Sequence, residues 1–576
     1  MNKDQALWLA ITLAFLVIFG RLFQLQVIEG GKYRRLALEN AAKTIPIYAP
    51  RGIIYDRVGK IIAQNQAVFS IQVMPQLLSD HDPERRDRVL KKLSAILGEE
   101  VKPIKRADRP ILIKDNIDVK TAITVEELGK ELKGVEVVVH PVRLYPYGKA
   151  ASHLLGYVGE IEADELKRLK IEGYRLGDTI GKDGIEKIYD KLIRGKDGGK
   201  RIEVDVRGNP IRVLGSVNPA PGADVFTTID IELQQAADVA LGAKIGAVVV
   251  LDPRSGELLS LVSHPNYDPN IFVKQLESVE WEKLEKKRHP FMDRALAIYP
   301  PGSIFKAIVL TAALEKKVTE PKESFFCPGY YRINNRIARC WKESGHGRIT
   351  AEDGLVNSCD IVFYELGRRL GPDLIAEYSR KYGLGERTGL DLPHEKIGLV
   401  PDTAWKKRAL GEGWYEGDSI NYGIGQGFLQ VTPIQMAKVY GTIATGRQMR
   451  PYIVTEIRKK DGEALYQQGP KEVGVIPGNS ETVKVVRDAL REVVKRATGR
   501  AASVPGIPAA GKTGTAQNPG LPHAWFICYA PYDEPEIVIA SFVEHGEHGD
   551  QSSAHVARDI LKWYKENRLQ KEYAEE

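Results

Sequence analysis

From Ala6 to Phe19 the chain reads ALWLAITLAFLVIF without a charge, and Gly20 to Val27 continues the apolar stretch past Arg21. A run of roughly 20 apolar residues crosses the hydrocarbon layer of a bilayer, and an arginine near its end can reach the interface. The pattern predicts one N-terminal transmembrane helix, retained as an anchor because no small-residue cleavage site follows it directly; a cleaved signal peptide is the competing reading. No second span follows, which places everything after Glu29 on one side of the membrane. Residues 30 to about 220 mix short β-like runs (67–73, 135–140) with charged helical stretches (82–96, 163–171). Glycine turns recur at Arg51-Gly52, Gly181 to Gly184, Gly195 to Gly199 and Gly208, which predicts an elongated, mostly β pedestal.

Pro219 to Gly222 reads as a linker, and the pattern changes beyond it. Asp230 is placed to cap an amphipathic helix over 231–241, GAVVVL at 246–251 reads as a strand, and 257–263 as its hairpin partner. Two more strands are expected at 524–530 and 536–543, before a final helix from Ser553 to about Asn567. Strands at both ends with helices between them predict an α+β domain whose central antiparallel sheet joins distant segments. The expected division is a cytoplasmic tail and anchor over 1–28, a pedestal over 29–222 and a catalytic domain over 223–576.

Composition adds exclusions. A chain of 576 residues with 43% hydrophobic and 27% charged residues is globular, neither largely disordered nor polytopic. A net charge of +6 over this length does not specify nucleic acid. Four cysteines do not make a disulfide-built scaffold.

The candidate chemistry begins at Pro300-Pro301-Gly302, which breaks the chain just before Ser303 and an apolar helix over 304–315. Ser303 then opens a buried helix, where free backbone N–H groups favour a developing oxyanion. Lys306, three residues on, stands over the same face and can act as its base when its pKa is lowered by burial or by a second positive charge. Lys512 is the candidate for that charge, in Gly511-Lys512-Thr513-Gly514-Thr515, a segment expected just ahead of a strand. Between the two, Ser358 and Asp360 face one way from an extended loop and Cys359 the other. Ser-x-x-Lys, Ser-x-Asp and Lys-Thr-Gly, in this order, match the signature set of penicillin-interacting serine enzymes, with Asp360 in place of the usual asparagine.

On these motifs the chain resembles the class B penicillin-binding proteins, most closely their elongation type. Arg51 to Arg57 (RGIIYDR) is similar to the family's first pedestal motif, with Val58 where asparagine is usual, and Gly181 to Gly199 is similar to another. Gly423 to Pro433 and His523 to Pro531 are similar to stretches around the family's active site. The resemblance implies a D,D-transpeptidase that crosslinks peptidoglycan stem peptides through a Ser303 acyl-enzyme and is acylated by β-lactams. It implies an oxyanion hole at the N–H groups of Ser303 and Thr515, donor binding by Lys512, Thr513 and Gly514, and a proton relay at Ser358. It also implies a single-pass protein of the cytoplasmic (inner) membrane with its bulk outside, in the periplasm where there is one. The implied partners are a membrane glycan polymerase of the SEDS type (RodA) and other elongation-complex proteins. Two alternatives stay open: a serine hydrolase of the same fold (D,D-carboxypeptidase or β-lactamase), and an inactive scaffold for a glycan polymerase.

Catalysis of this kind needs no cofactor, but a structural zinc site is expected. Cys327, Cys340, His346 and Cys359, spaced Cys-x12-Cys-x5-His-x12-Cys, offer a Cys3His set in a turn-rich stretch that includes Pro328-Gly329 and Asn334-Asn335. The competing readings are a Cys327–Cys340 disulfide and unrelated buried thiols. Cys528, inside an apolar strand, reads as a buried thiol.

Overall fold

The computed structural model describes the chain except residues 1, 34–41, 76–77, 79–82, 102–109, 205–209, 274–281, 283, 285, 287, 334–335 and 570–576. The turns expected at Gly208 and Asn334-Asn335 lie outside the described residues. Two compact units form, one from residues 1–51, 65–142 and 194–222, the other from 52–64, 143–193 and 223–576.

The first unit begins with helix α1, Lys3–Phe23, extended by a wider π turn over Gln24–Ile28. Its apolar span, Leu7–Ile28, is 22 residues long and none of its residues is buried in the protein. At 1.5 Å per residue that is about 30 Å, the thickness of a bilayer's hydrocarbon layer. Further on, Ala42–Ile47, Gly198–Val204 and Pro210–Val217 form a three-stranded antiparallel sheet. A separate core gathers Ile71, Val73, Leu90, Leu93, Val125 and Val135, buried where the helices Pro83–Leu97 and Val119–Glu127 cover strands.

In their packing, residues 52–64 and 143–193 belong with the C-terminal segment. The reason is pairing and charge burial. Ile54–Tyr55 runs parallel to Asp224–Thr227 and antiparallel to the start of the strand Ile61–Val73. Arg143, 4% exposed, is held by Glu186, itself fully buried, at 2.6 Å and by the Gly52 carbonyl at 2.7 Å.

The second unit is built on a five-stranded antiparallel sheet of β1 (Gly246–Leu251), β2 (Leu258–His264), β3 (Ala510–Ala516), β4 (His523–Ala530) and β5 (Ile537–Val543), in the order β2-β1-β5-β4-β3. All residues of β1, β2, β4 and β5 are buried, so these strands are apolar on both faces. Alternate residues serve different cores: Val248, Val250, Phe526 and Ile539 meet α2 (Ile231–Leu241) and the final helix Ser553–Asn567, as expected. Ala247, Val249, Ile527 and Ala540 face the central helices instead. Asp230 caps α2, accepting from the N–H groups of Glu232 and Leu233.

On that second face lie α3 (Lys306–Glu315), buried from Lys306 to Ala313, α4 (Asp360–Lys381), α5 (Glu416–Gly423) and α6 (Pro433–Thr445). A helix apolar all round is a core helix. α4 and α5 meet through glycine, because a Cβ on Gly423 would stand 2.3 Å from the Phe363 carbonyl oxygen and one on Gly367 2.6 Å from that of Ser419. Overpacking such a contact costs about 1–3 kcal/mol. Gly423→Ala is therefore expected to destabilise the protein by about that amount, read as a lowered midpoint in urea unfolding; an unchanged midpoint would show that the helices part without cost.

Candidate active site

Ser303 lies in a 3-10 turn over Gly302–Phe305, and the α-helix opens only at Lys306, so the helix expected to begin at the serine starts one tight turn later. Gly302 sets that turn: its φ is +59°, and a Cβ would come 2.6 Å from the Thr515 carbonyl oxygen. Glycine alone allows the serine turn to lie against β3. Three bonds fix it there. The Gly302 N–H donates to Gly425 at 2.8 Å, the Trp525 indole to Pro300 at 3.1 Å, and the Tyr440 hydroxyl to Ile304 at 2.9 Å. Ser303 itself keeps part of its surface open.

One turn behind it, Lys306 has no exposed surface. Its Nζ donates to Asp360 Oδ1 at 2.7 Å and to the Ser358 carbonyl at 2.9 Å, lies 3.4 Å from Ser358 Oγ, and sits over the Phe363 ring at 5.3 Å. Asp360 Oδ2 accepts the Trp341 backbone N–H at 2.8 Å. The middle motif is not the extended loop expected. It is the junction between a short helix, Ala351–Val356, and α4, with Ser358 at φ +54° and Asp360 as the first residue of α4. The two side chains still meet Lys306, because the left-handed residue reverses the chain between them.

Lys512, Thr513, Gly514 and Thr515 lie inside β3, itself a strand, and precede β4 as expected. Lys512 is fully buried and its Nζ donates to the Thr513 carbonyl at 3.2 Å. Burial holds its ammonium well below the ordinary lysine value, the Lys306 charge lowers it further, and Asp360 opposes both. Lys306 is paired with the Asp360 carboxylate. Thr513 Oγ1 donates to Thr498 Oγ1 at 2.7 Å. Thr498, an isolated threonine after a helix, carries no sequence signal and was not among the expected residues. Gly514 packs so closely that a Cβ would stand 3.0–3.1 Å from Ile304, Pro301 and Trp525.

The sulfur and imidazole atoms of Cys327, Cys340, His346 and Cys359 all lie within 4.8 Å of one another. His346 Nδ1 is 3.5 Å from Cys327 Sγ and 3.6 Å from Cys340 Sγ. The three cysteines are free and buried, so the Cys327–Cys340 disulfide is not formed. The Cys359 thiol bonds to Cys340 and favours its thiolate. Cys528, inside β4, is a buried free thiol whose ionisation burial opposes.

The profile of the "Penicillin binding protein transpeptidase domain" matches residues 246–562, and that of the "Penicillin-binding Protein dimerisation domain" residues 46–227. The Peptidoglycan D,D-transpeptidase MrdA of Escherichia coli strain K12 is 33% identical over 583 residues, 95% of this chain and 92% of that protein. The chain belongs to the class B penicillin-binding proteins of the PBP2 (MrdA) type. Penicillin-binding protein 2 of Helicobacter pylori, solved in complex with MreC, is 29% identical with a TM-score of 0.79, covering 92% of this chain and 99% of its own. A chain solved in a peptidoglycan synthase complex, described for its coordination of polymerization and crosslinking, is 31% identical with a TM-score of 0.73, covering 99% and 100%.

In this penicillin-binding protein the depressed Lys512 makes a prediction of its own. A lysine depressed in the fold takes up protons on unfolding, so it costs stability below its folded pKa, and the cost fades as pH rises toward the ordinary 10.5. Lys512→Met is expected to raise the thermal midpoint most under mildly acidic conditions, with the margin shrinking toward alkaline pH; a pH-independent margin would show that Lys512 is not so perturbed.

Proposed function

We propose that this protein crosslinks peptidoglycan as a serine D,D-transpeptidase, with Ser303 as nucleophile. The observation that carries the reading is the meeting of Lys306 Nζ with Asp360 and Ser358 directly behind a serine turn held against β3. Ser303 Oγ attacks the carbonyl carbon of the penultimate D-alanine of a donor stem peptide, and its proton passes to Lys306 as the neutral amine, the ammonium having first given a proton to Asp360 Oδ1 at 2.7 Å. The negative oxygen that develops is met by the N–H groups of Ser303 and Thr515. The C–N bond to the terminal D-alanine then breaks, its nitrogen taking a proton through Ser358, 3.4 Å from Lys306. An acceptor amine attacks the acyl-enzyme, its proton returns to Ser303 Oγ, and a crosslink replaces the ester. Thr513 and Gly514 line the donor side, with the positive charge of Lys512 behind Thr513 for its carboxylate. A β-lactam amide enters by the same attack. The intact set of side chains disfavours the inactive-scaffold reading.

The 22-residue apolar span supports a single-pass anchor in the cytoplasmic membrane with the bulk outside, where stem peptides are. The relatives solved with MreC and within a peptidoglycan synthase complex support a partner of the MreC kind and one that polymerises glycan; the family resemblance makes the latter a membrane polymerase of the RodA kind. Fluorescent penicillin is expected to label the wild type durably and Ser303→Ala not at all. Equal labelling of both would overturn the nucleophile, and turnover of the label within seconds would favour the hydrolase.

The four-residue cluster fits a structural zinc. Bond lengths of about 2.0–2.3 Å give tetrahedral edges of roughly 3.5–3.8 Å, close to the 3.5 and 3.6 Å between His346 Nδ1 and two of the sulfurs. Bound there, zinc would supply a rigid crosslink behind Ser358 and Asp360 and no chemistry at the acyl carbon. Elemental analysis is expected to find about one zinc per chain, lost with a lowered thermal midpoint in Cys359→Ser; zinc-free protein with an unchanged midpoint would refute the site.

A further inference from the structure

Trp341 touches the middle motif twice. Its backbone N–H donates to Asp360 Oδ2 at 2.8 Å, and its indole Nε1–H donates to the Asn357 carbonyl at 3.1 Å. Asn357 and Asp360 are the two ends of the turn that carries Ser358, and Ser358 is a non-glycine residue at φ +54°. A residue held in the left-handed region persists only where its surroundings over-determine it. The turn's other supports include Ser358 N–H to Leu355 at 3.3 Å, Cys359 N–H to Gly354 at 2.9 Å, Lys306 Nζ to the Ser358 carbonyl at 2.9 Å, and the Cys359 thiol bonded to Cys340 in its middle. Trp341 adds bonds from outside at both ends.

The indole is not placed there for burial. Trp341 is 57% exposed, an unusual position for a large ring whose only structural use is packing. What the ring offers inward is its N–H, directed at a carbonyl at the end of the helix Ala351–Val356, where backbone acceptors lack helical partners. The ring also stands edge-on to His346 at 5.6 Å, and Cys340 is its chain neighbour, so the cluster behind the turn and the turn itself meet at this one side chain.

We propose that Trp341 is a positioning residue of the transpeptidase reaction: it clamps the Ser358 turn at both ends and so holds Ser358 Oγ within reach of Lys306. The proposal rests on the role given to Ser358 above. The indole bond aligns a proton path, so its loss slows bond formation at Ser303 without weakening the encounter with a β-lactam. A side chain that served only the fold would change the fraction of active protein, and a ring that stacked on substrate would change the dissociation constant.

The test uses the full chain in detergent and a fluorescent penicillin over a range of concentrations, which separates the limiting acylation rate from the dissociation constant. Two variants are compared with the wild type: Trp341→Phe, and the chain with 3-benzothienylalanine at position 341, which keeps the bicyclic shape and lacks the N–H. Loss of one hydrogen bond corresponds to a rate lowered roughly three- to tenfold. Both variants are expected to show that loss in the limiting rate, with unchanged dissociation constant, full labelling at the end point and an unchanged thermal midpoint. If Trp341→Phe labels incompletely because it folds poorly, the benzothienylalanine variant decides. A wild-type limiting rate in that variant, or an effect confined to the dissociation constant, overturns the clamp. Ser303→Ala runs alongside: labelling of that variant would overturn the underlying reading, whereas its silence beside wild-type rates in the Trp341 variants would sink the clamp alone.

Discussion

A lysine ammonium with no exposed surface has to be met by acceptors, and the arrangement around Lys306 answers that demand. Its nitrogen is met by the Asp360 carboxylate and the Ser358 carbonyl, and each comes from a different position of one turn. The desolvation of a buried charge is large enough to dictate the path of the chain around it. Ser358 leaves the usual backbone regions, α4 begins at Asp360, and the polypeptide before it folds back so that a peptide N–H reaches the carboxylate's second oxygen. The reactive side chains are brought together as a by-product of satisfying one cation.

The second demand is rigidity beneath the serine. Strands buried on both faces cannot slip by one residue without swapping every side chain between two differently packed cores, so the sheet is a fixed reference for everything that touches it. Glycines let other elements reach its backbone: Gly302 brings the serine turn to Thr515, and a Cβ on Gly549 would stand 2.7 Å from the Gly514 carbonyl oxygen. Backbone on backbone leaves little room for rotamer freedom, which is why the site is held with few side-chain bonds.

Much of this was legible from residue order. The helix at 231–241, the strand at 246–251 and the final helix carry clear periodicity and an evident cap, and they fall where expected. The cysteine and histidine spacing likewise brought four donors to one place. What periodicity could not show depends on contacts between distant segments. Ser358 adopts a left-handed conformation because of Lys306, 52 residues away. The tight turn at 302–305 owes its shape to Thr515 and Gly425. Thr498 and Trp341 belong to no motif; only tertiary packing places their hydrogen-bonding groups beside Thr513 and Asp360.

The interleaved division of the chain has a consequence for how the molecule is made. Residues 54 and 55 leave the ribosome early, yet their parallel neighbours are Val225 and Phe226, which pair in turn with a strand at 454–458. Loops of that length close slowly, and an unpaired strand that waits for its neighbours is open to wrong partners. The second unit therefore cannot finish folding vectorially; residues 54 and 55 pair early with the strand from Ile61, but their parallel neighbours at 224–227 gain their own second partner only when 454–458 has been synthesised. Shortening the chain from its C-terminal end before residue 454 would leave the strand at 224–227 with a bare edge where its antiparallel neighbour belongs.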